Sequence, residues 1–282
     1  RKAGKNKETG SKDGFLSFIS SVSMVGIALG VAALIVVLSV MNGFQKEVRD
    51  RMLSVLSHIE IHAPAGLGDW QPLVAQVKTH PHVTGVAPMV MSQALISRGD
   101  VMRGVAIRGI DPVLESGVSD IPKHFIQGSI DQLRPGEFGL ALGAELAMAL
   151  GVQLGDRITI MVPEGDINPA GMTPRMRAFK LIGVIDSGHY EFDSTLAVIH
   201  WKDAAALLRL DGPSGLRLKL DDMQIAAKVG DELAVQLPGL WVKDWSRQNK
   251  NWFAAVQTEK RMMFIIDRKS TRLNSSHLGI SR

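Results

Sequence analysis

The residues best suited to chemistry lie between Asp186 and Asp193, where three carboxylates and a histidine fall within eight residues. Carboxylates and imidazole are common metal ligands and common general acids and bases. The alternation of polar and apolar residues from His189 onward predicts instead a strand or turn whose polar groups face water. No further ligands stand nearby in the sequence, so we expect neither a metal nor a catalytic site here.

The histidine pairs are weaker candidates. His58 and His62 stand four residues apart, a spacing that suits a metal pair on a helix. If residues 59–61 form a strand, the two imidazoles need not face the same way. His80 and His82 flank a proline, which predicts a solvated turn. We therefore expect no metal ligand among them.

Composition and missing motifs exclude several functions. The chain of 282 residues has no cysteine, which removes disulfides and thiolate chemistry. It contains neither a G-x-S-x-G nucleophile elbow nor a G-x-x-x-x-G-K-[ST] phosphate loop, so we predict no enzymatic role and no cofactor. Its net charge of +4, from 32 basic and 28 acidic residues, is too small a surplus to indicate nucleic-acid binding.

The elements that must position any site begin with an uncharged stretch over residues 14–45. Within it, residues 22–40 are almost all apolar, close to the ~20 needed to cross a bilayer. A signal peptide has a shorter apolar region, about 7–15 residues, and a small-residue cleavage site, whereas this run ends in Met-Asn-Gly-Phe. We predict a retained transmembrane helix at 14–45.

The flanks of this helix predict its orientation and contacts. Basic residues are in excess on its N-terminal side, at Arg1, Lys2, Lys5, Lys7 and Lys12. This predicts a cytoplasmic segment at 1–13 and an exported remainder. Gly26 and Gly30 form a GxxxG spacing, which is typical of a close helix–helix contact. The apolar period of Phe44, Val48 and Met52 predicts that the helix continues as a stalk.

Residues 46–250 have short alternating apolar runs broken by Gly, Pro and Asp, a pattern that predicts an exported α+β domain. We predict strands at 59–62, 104–110, 157–162, 179–185 and 216–220, and two short strands within 83–97. We predict helices at 70–79, 139–150, 201–208 and 223–237. Their order shows no simple βαβ repeat.

Residues 26–44, GIALGVAALIVVLSVMNGF, resemble the first membrane segment of the LolC/LolE family, the lipoprotein-releasing permeases of Gram-negative bacteria. Further matches follow in order along the chain, at 85–88, 109–112, 142–147, 150–156, 245–247, 253–256 and 259–263. Together they cover about residues 15–266, most of the chain.

The resemblance implies a permease subunit of an ABC transporter, with a MacB-like periplasmic core and the mechanotransmission architecture of MacB and FtsX proteins. It implies four kinds of partner: a LolD-type ATPase, a second LolC/LolE-type permease subunit, acylated lipoproteins and a LolA-type periplasmic carrier. The location implied is the bacterial inner membrane. A MacB/FtsX-type permease without lipoprotein release, or a single-span sensor or binding protein, is the alternative.

Extraction of a lipoprotein also implies a cavity for its acyl chains, because exposing each CH₂ to water costs about 0.8 kcal/mol. The outer half of the first helix offers candidates for that cavity, which could equally face membrane lipid or pack against protein: Ile35, Leu38, Val40, Met41 and Phe44.

A proline-rich loop at 163–174 resembles the Hook, an extension with which LolC catches its carrier. Prolines keep such a loop from pairing, and its apolar residues would form an exposed knob. The candidate docking residues are Pro163, Ile167, Pro169, Met172 and Pro174, with Arg175 and Arg177 as a basic pad. A passive surface loop is the alternative, and the choice among LolC, LolE and a single mixed permease stays open.

Near the end of the chain, residues 251–266 resemble the start of a second membrane span. Residues 267–282 are polar and without period, and resemble a translated vector sequence. We therefore expect a truncated permease followed by a non-native tail.

Overall fold

The computed structural model describes residues 7–54, 57–63, 65–168 and 171–248. The chain divides into two compact units, Arg1–Met52 and Leu53–Arg282. The second membrane span and the non-native tail expected at 251–282 lie outside the described residues.

The first unit is a helix, α1 (Lys7–Ser54), whose 48 residues run on into the second unit. In the part of the chain that the structure describes, one segment, Ser17–Val40, is long and apolar enough to cross a membrane. Its apolar side chains are exposed, among them Met24 at 72% and Val37 at 64%. A helix satisfies its own backbone hydrogen bonds, as a spanning segment must, and the helix also continues through the predicted stalk.

The second unit contains ten described strands and several short helices. The strands are β1 (Ile59–His62), β2 (Val83–Arg98), β3 (Val101–Ile110), β4 (Phe125–Gly128), β5 (Gly139–Gly143), β6 (Arg157–Asn168), β7 (Gly171–Ile185), β8 (Leu196–His200), β9 (Gly215–Leu220) and β10 (Trp241–Asp244). The helices are α2 (Gln71–Lys78), α3 (Pro112–Glu115), α4 (Ala144–Leu150), α5 (Tyr190–Asp193), α6 (Trp201–Leu208), α7 (Ala226–Gln236) and α8 (Trp245–Gln248). The fold is α+β, as the sequence predicted.

Six of these strands pair in a closed ring, in the order β2, β3, β8, β5, β7, β6 and back to β2. Every second residue of each strand points into this barrel, where Ile96, Leu140, Ile160, Phe179 and Ile199 are all buried. Strand β4 pairs with the end of β7 outside the ring. The barrel closes because its interior removes the inward-facing apolar side chains of all six strands from water.

The first half of β2 belongs to a smaller sheet in the order β10, β1, β9, β2. One face is apolar, because Ile59, Ile61 and Leu218 pack there in a cluster that includes Val77 of α2 and Leu233 of α7. Glu115 and Arg217 form a salt bridge in which both side chains are almost fully buried. All the buried residues of the three apolar clusters lie between residues 59 and 245, so the second unit has cores of its own.

The structure corrects two predicted elements. Residues 139–143 form strand β5 and not the start of a helix, because this short apolar run is buried on both faces. The helix begins only after Gly143, where a Cβ would lie 2.1 Å from the carbonyl oxygen of Asp193. Residues 83–98 form one continuous strand that passes from the small sheet into the barrel. Residues 190–193 form the helical turn α5, in agreement with the predicted strand or turn, but Asp193 is buried and does not face water.

Candidate functional site

The predicted docking loop is the outer part of the β6–β7 hairpin. The ladder runs without a break from Arg157↔Lys180 to Val162↔Arg175, shifts register, and resumes from Asp166↔Thr173 to Asn168↔Gly171. Pro163 follows the last regular pair, and proline has no amide hydrogen to donate to a ladder. A bulge at 163–165, opposite Pro174, therefore interrupts the ladder beside Pro163.

The docking residues of the hairpin are only partly described. Ile167 and Met172 pair with each other through their backbones, and Pro163 is exposed. Pro174 is half-buried, and Pro169 lies outside the described residues. The apolar knob formed by Ile167, Pro169 and Met172 remains a prediction.

The two arginines predicted as a basic pad are turned towards the body of the domain. Nη1 of Arg175 donates a hydrogen bond to the carbonyl oxygen of Leu208, at 2.8 Å. The Arg177 guanidinium lies over the Phe138 ring, 3.8 Å from its centroid. Each guanidinium thus has a partner within the domain, a role that the sequence did not predict.

Phe138 is itself held in an uncommon conformation. Its φ of 52° is in the left-handed region, which residues with a side chain seldom occupy. Its amide donates to Oδ2 of Asp203 at 3.1 Å, and the amide of Gly136 donates to Oδ1 of the same carboxylate at 2.6 Å. The ring also packs edge-to-face on Phe179, with centroids 5.5 Å apart. Sequence reasoning missed Asp203 and Phe138, because their 65-residue separation gives no local signal.

Two open cavities flank Pro163 at the root of the hairpin. One, of about 510 Å³, is lined by residues that include Met91, Leu210, Trp241 and Lys243. The other, of about 560 Å³, is lined in part by Leu95 and Val105. Trp241 is 59% exposed on the last strand of the small sheet. Pro163 at the root of the hairpin therefore borders a concave, partly apolar surface.

The five predicted lipid-cavity residues do not share one face of α1. Successive residues turn by about 100°, so Ile35 lies about 180° around the helix from Gly26, whereas Val40 and Phe44 lie on the glycine side. Ile35 and Val40 are 58% and 66% exposed, and Leu38 is half-buried. The side chains of Met41 and Phe44 are outside the described part, so the cavity remains a prediction.

Gly26 and Gly30 lie on one side of α1, where an added Cβ would meet nothing within 4 Å. Within the residues that the structure describes, no element of the chain covers this glycine face. The predicted helix–helix contact would therefore need a second subunit or a segment of the chain outside the described residues, and it stays a prediction.

The candidate chemical sites have structural roles. Asp193 is buried and accepts hydrogen bonds from the amide and the hydroxyl of Ser187. Nδ1 of His58 accepts the Leu220 amide at 3.0 Å, and burial, together with the charge of Lys219, lowers the pKa of His58 to about 4. His62 contacts Glu60, so the two histidines have different partners.

His80 and His82 contact Glu232 and Asp221 respectively, each at 3.0 Å. Hydrogen bonds from these imidazoles lower the pKa of each carboxylate. Over the described ranges, no group of three or more His, Asp or Glu residues is arranged to hold a metal ion.

Comparison with known proteins adds three findings. Residues 20–236 match the MacB-like periplasmic core domain. The lipoprotein-releasing system transmembrane protein LolC of Neisseria meningitidis is 45% identical over 259 residues, which are 90% of this chain and 62% of that protein. LolC of Xylella fastidiosa is 43% identical over 257 residues, with the same coverage of 90% and 62%.

Among solved structures, the periplasmic region of MacB from Actinobacillus actinomycetemcomitans is 14% identical, with a TM-score of 0.42, over 68% of this chain and 91% of that one. The chain thus spans about 62% of the length of the LolC relatives that it matches.

Proposed function

We propose that this chain, which belongs to the MacB-like periplasmic core domain family and is 45% identical to LolC of Neisseria meningitidis, is part of a LolC/LolE-type permease subunit for lipoprotein release. The observation that carries the proposal is the β6–β7 hairpin, whose ladder shifts register beside Pro163, in a chain 45% identical to LolC. In this proposal the hairpin captures a LolA-type carrier, and the surface at its root supports the bound carrier.

The helix α1 supplies the membrane anchor in this proposal. The basic residues before the span favour a cytoplasmic N-terminus, which places the second unit in the periplasm. A second LolC/LolE-type subunit would pack on the face of Gly26 and Gly30, where a close approach is sterically free. The location is then the bacterial inner membrane.

In this proposal, another subunit supplies the energy that extracts the lipoprotein from the membrane. Moving an acyl chain out of the membrane costs about 0.8 kcal/mol per exposed CH₂, so an acylated lipoprotein stays in place unless its chains enter another apolar site. We assign ATP hydrolysis to a separate LolD-type ATPase and give this chain a mechanical, non-catalytic role. The outer half of α1, residues 35–44, supplies the candidates for contact with the acyl chains.

The docking role is tested with the second unit alone, as residues 57–248, which contain all of its apolar clusters. The purified domain is titrated with a LolA-type carrier, and the affinity is compared with that of a variant lacking residues 167–172. We expect binding by the parent domain and none by the deletion. Val235→Ser, at an apolar side chain 84% exposed on α7, is the matched control and should bind normally. Equal binding by the parent and the deletion contradicts the proposed role.

The orientation is tested on the full chain, which has no native cysteine. Lys5→Cys and Val113→Cys place single thiols on the two sides that we propose. In spheroplasts, a membrane-impermeant maleimide should label only the thiol at position 113. Labelling at position 5 and not at 113 would reverse the topology.

A further inference from the structure

The root of the β6–β7 hairpin is attached to both ends of helix α6. Arg175 and Arg177 stand two residues apart on β7, so their side chains lie on the same face of that strand. Arg175 donates to the carbonyl oxygen of Leu208, the last residue of α6. Arg177 lies over Phe138, whose amide is bound by Asp203 in the first turn of α6.

We propose that α6 sets the angle at which the hairpin leaves the barrel, and that Asp203, Phe138, Arg175 and Arg177 are positioning residues for carrier docking. This inference rests on the proposed docking function of the hairpin. None of the four residues needs to touch the carrier. Their effect is to hold one hairpin orientation before the carrier arrives.

The Asp203 end of this attachment is rigid. The Asp203 side chain is only 2% exposed, and its two oxygens accept the amides of Gly136 and Phe138. A buried carboxylate needs such donors, so the turn and α6 stabilise each other. The Phe138 ring is further fixed against Phe179. Arg177 therefore lies on an aromatic surface that cannot rotate freely.

The Leu208 end uses a different interaction. The last carbonyl groups of a helix have no partner within the helix and carry partial negative charge, so a guanidinium is a favourable partner. Arg175 is half-buried at this position, directly after Pro174. The two arginines thus hold β7 on either side of Met176, which is 57% exposed on the opposite face.

These attachments matter because the ladder that would otherwise fix the hairpin is interrupted. The regular register ends at Val162↔Arg175 and resumes only at Asp166↔Thr173. Both arginines belong to the regular part of the ladder, where Arg175 pairs with Val162 and Arg177 with Ile160. Their contacts with α6 and Phe138 therefore fix the last regular pairs, from which the outer hairpin continues. A hairpin that is already oriented loses less conformational entropy when it binds, and this raises its affinity for a carrier.

The test uses the cysteine-free full chain in detergent, with spin labels at Asp166→Cys on the hairpin and Met148→Cys on α4. Met148 is 76% exposed, so its label should not disturb packing. We expect a narrow distribution of label distances in the parent and a broad one in Arg177→Ala and Asp203→Asn. Arg177→Lys keeps a cation over the ring and should keep the distribution narrow.

Carrier affinity is measured on the same proteins without labels. We expect Arg177→Ala to bind roughly 2- to 30-fold more weakly, which is the range of a cation–π contact converted to an equilibrium constant. Arg103→Ala, at an exposed arginine of the β2–β3 hairpin, is the matched control and should change neither readout.

An unchanged distance distribution in Arg177→Ala overturns the inference, whatever the affinity. If the parent does not bind the carrier, the docking function fails, while the label distances still decide whether α6 orients the hairpin. Thermal unfolding identifies any variant that has lost its fold. Arg177 is exposed, so we expect Arg177→Ala to fold. Its label distances therefore test the inference even if Asp203→Asn does not fold.

Discussion

Two hairpins of the same barrel, β2–β3 and β6–β7, are built in opposite ways. The β2–β3 ladder runs in unbroken register from Val90↔Gly109 to Arg98↔Val101 and closes through a turn at Gly99. The β6–β7 ladder loses its register after Val162, beside Pro163. The first hairpin is therefore paired along its whole length, whereas the ladder of the second is interrupted between Val162 and Asp166.

The difference shows how one barrel keeps a stable core and still presents a projecting arm. In β2–β3, Gly99 has a φ of 56°, the left-handed conformation that a tight hairpin turn requires. Arg98 also binds Asp156, with its nitrogen 2.8 Å from the carboxylate oxygen. In β6–β7, Arg175 and Arg177 lie at the last regular pairs before the interruption and contact the body of the domain. The backbone thus fixes the structural hairpin, whereas arginines orient the one that we propose to be functional.

The largest expected effect separates the barrel interior from the hairpin tip. Ile96 is fully buried on β2, paired with Ile160 of β6. Ile96→Ala should lower the free energy of unfolding by about 2–5 kcal/mol, because it leaves a cavity in the barrel. Ile167→Ala should change it by less than about 0.5 kcal/mol. Urea unfolding of residues 57–248 measures both, and equal losses would mean that the tip is part of the core.

The second prediction concerns the β2–β3 turn. Gly99→Ala should lower the free energy of unfolding by about 1 kcal/mol, because alanine disfavours a positive φ. An added Cβ at Gly99 meets nothing within 4 Å, so the loss reports backbone conformation alone. Gly68→Ala, also sterically free but without a positive φ, is the control and should cause no loss. A Gly99→Ala variant with the same free energy of unfolding as the parent would show that the left-handed conformation at Gly99 does not stabilise the β2–β3 hairpin.

A smaller effect is expected beside the turn of the same hairpin. Arg98→Ala removes the contact with Asp156 and a hydrogen bond to the Gly151 carbonyl oxygen. Because the guanidinium is 40% exposed, we expect a loss of about 0.5–1 kcal/mol in the free energy of unfolding. The loss should shrink in high salt, which screens exposed ion pairs. A loss that is the same in about 0.05 M and about 1 M salt, over which the screening length falls roughly fourfold, would argue against an ionic cause.

The smallest change in stability is expected where the two hairpins differ most. Pro163→Val restores an amide hydrogen at the register shift and should change the free energy of unfolding by less than about 0.5 kcal/mol. It should slow amide exchange in residues 164–168, because the ladder can then extend outward. Pro238→Val, at an exposed proline far along the chain, should leave that exchange unchanged. Exchange as fast as in the parent would mean that Pro163 does not cause the break.

Much of the fold was accessible from the sequence, and the errors have physical causes. The strand at 59–62 and the helix at 201–208 were predicted within their observed bounds, because each has a clear hydrophobic period. Residues 139–143 were assigned to a helix because a short apolar run buried on both faces has no period to read. Strand β2 was divided in two because its partners change midway, while its backbone does not end.

The hairpin was found from prolines and family resemblance, but its support was not. Arg175 and Arg177 were assigned to a surface pad, since charge at the end of a loop usually faces water. The structure shows that Leu208 and Phe138 receive them. The buried salt bridge between Glu115 and Arg217 was also not predicted, because the two residues are 102 positions apart in the sequence and meet only in the folded domain.

Strand β2 has a consequence for how the domain unfolds. Its first half is a member of the small sheet and its second half a wall of the barrel, joined by one uninterrupted backbone. A shift of the strand pairing in one half of β2 would shift the other half by the same number of residues. Unfolding one half alone would therefore cost a large free energy. The second unit should melt as a single cooperative block, and a pull applied to the barrel would reach β1 and β10 without passing through a flexible joint.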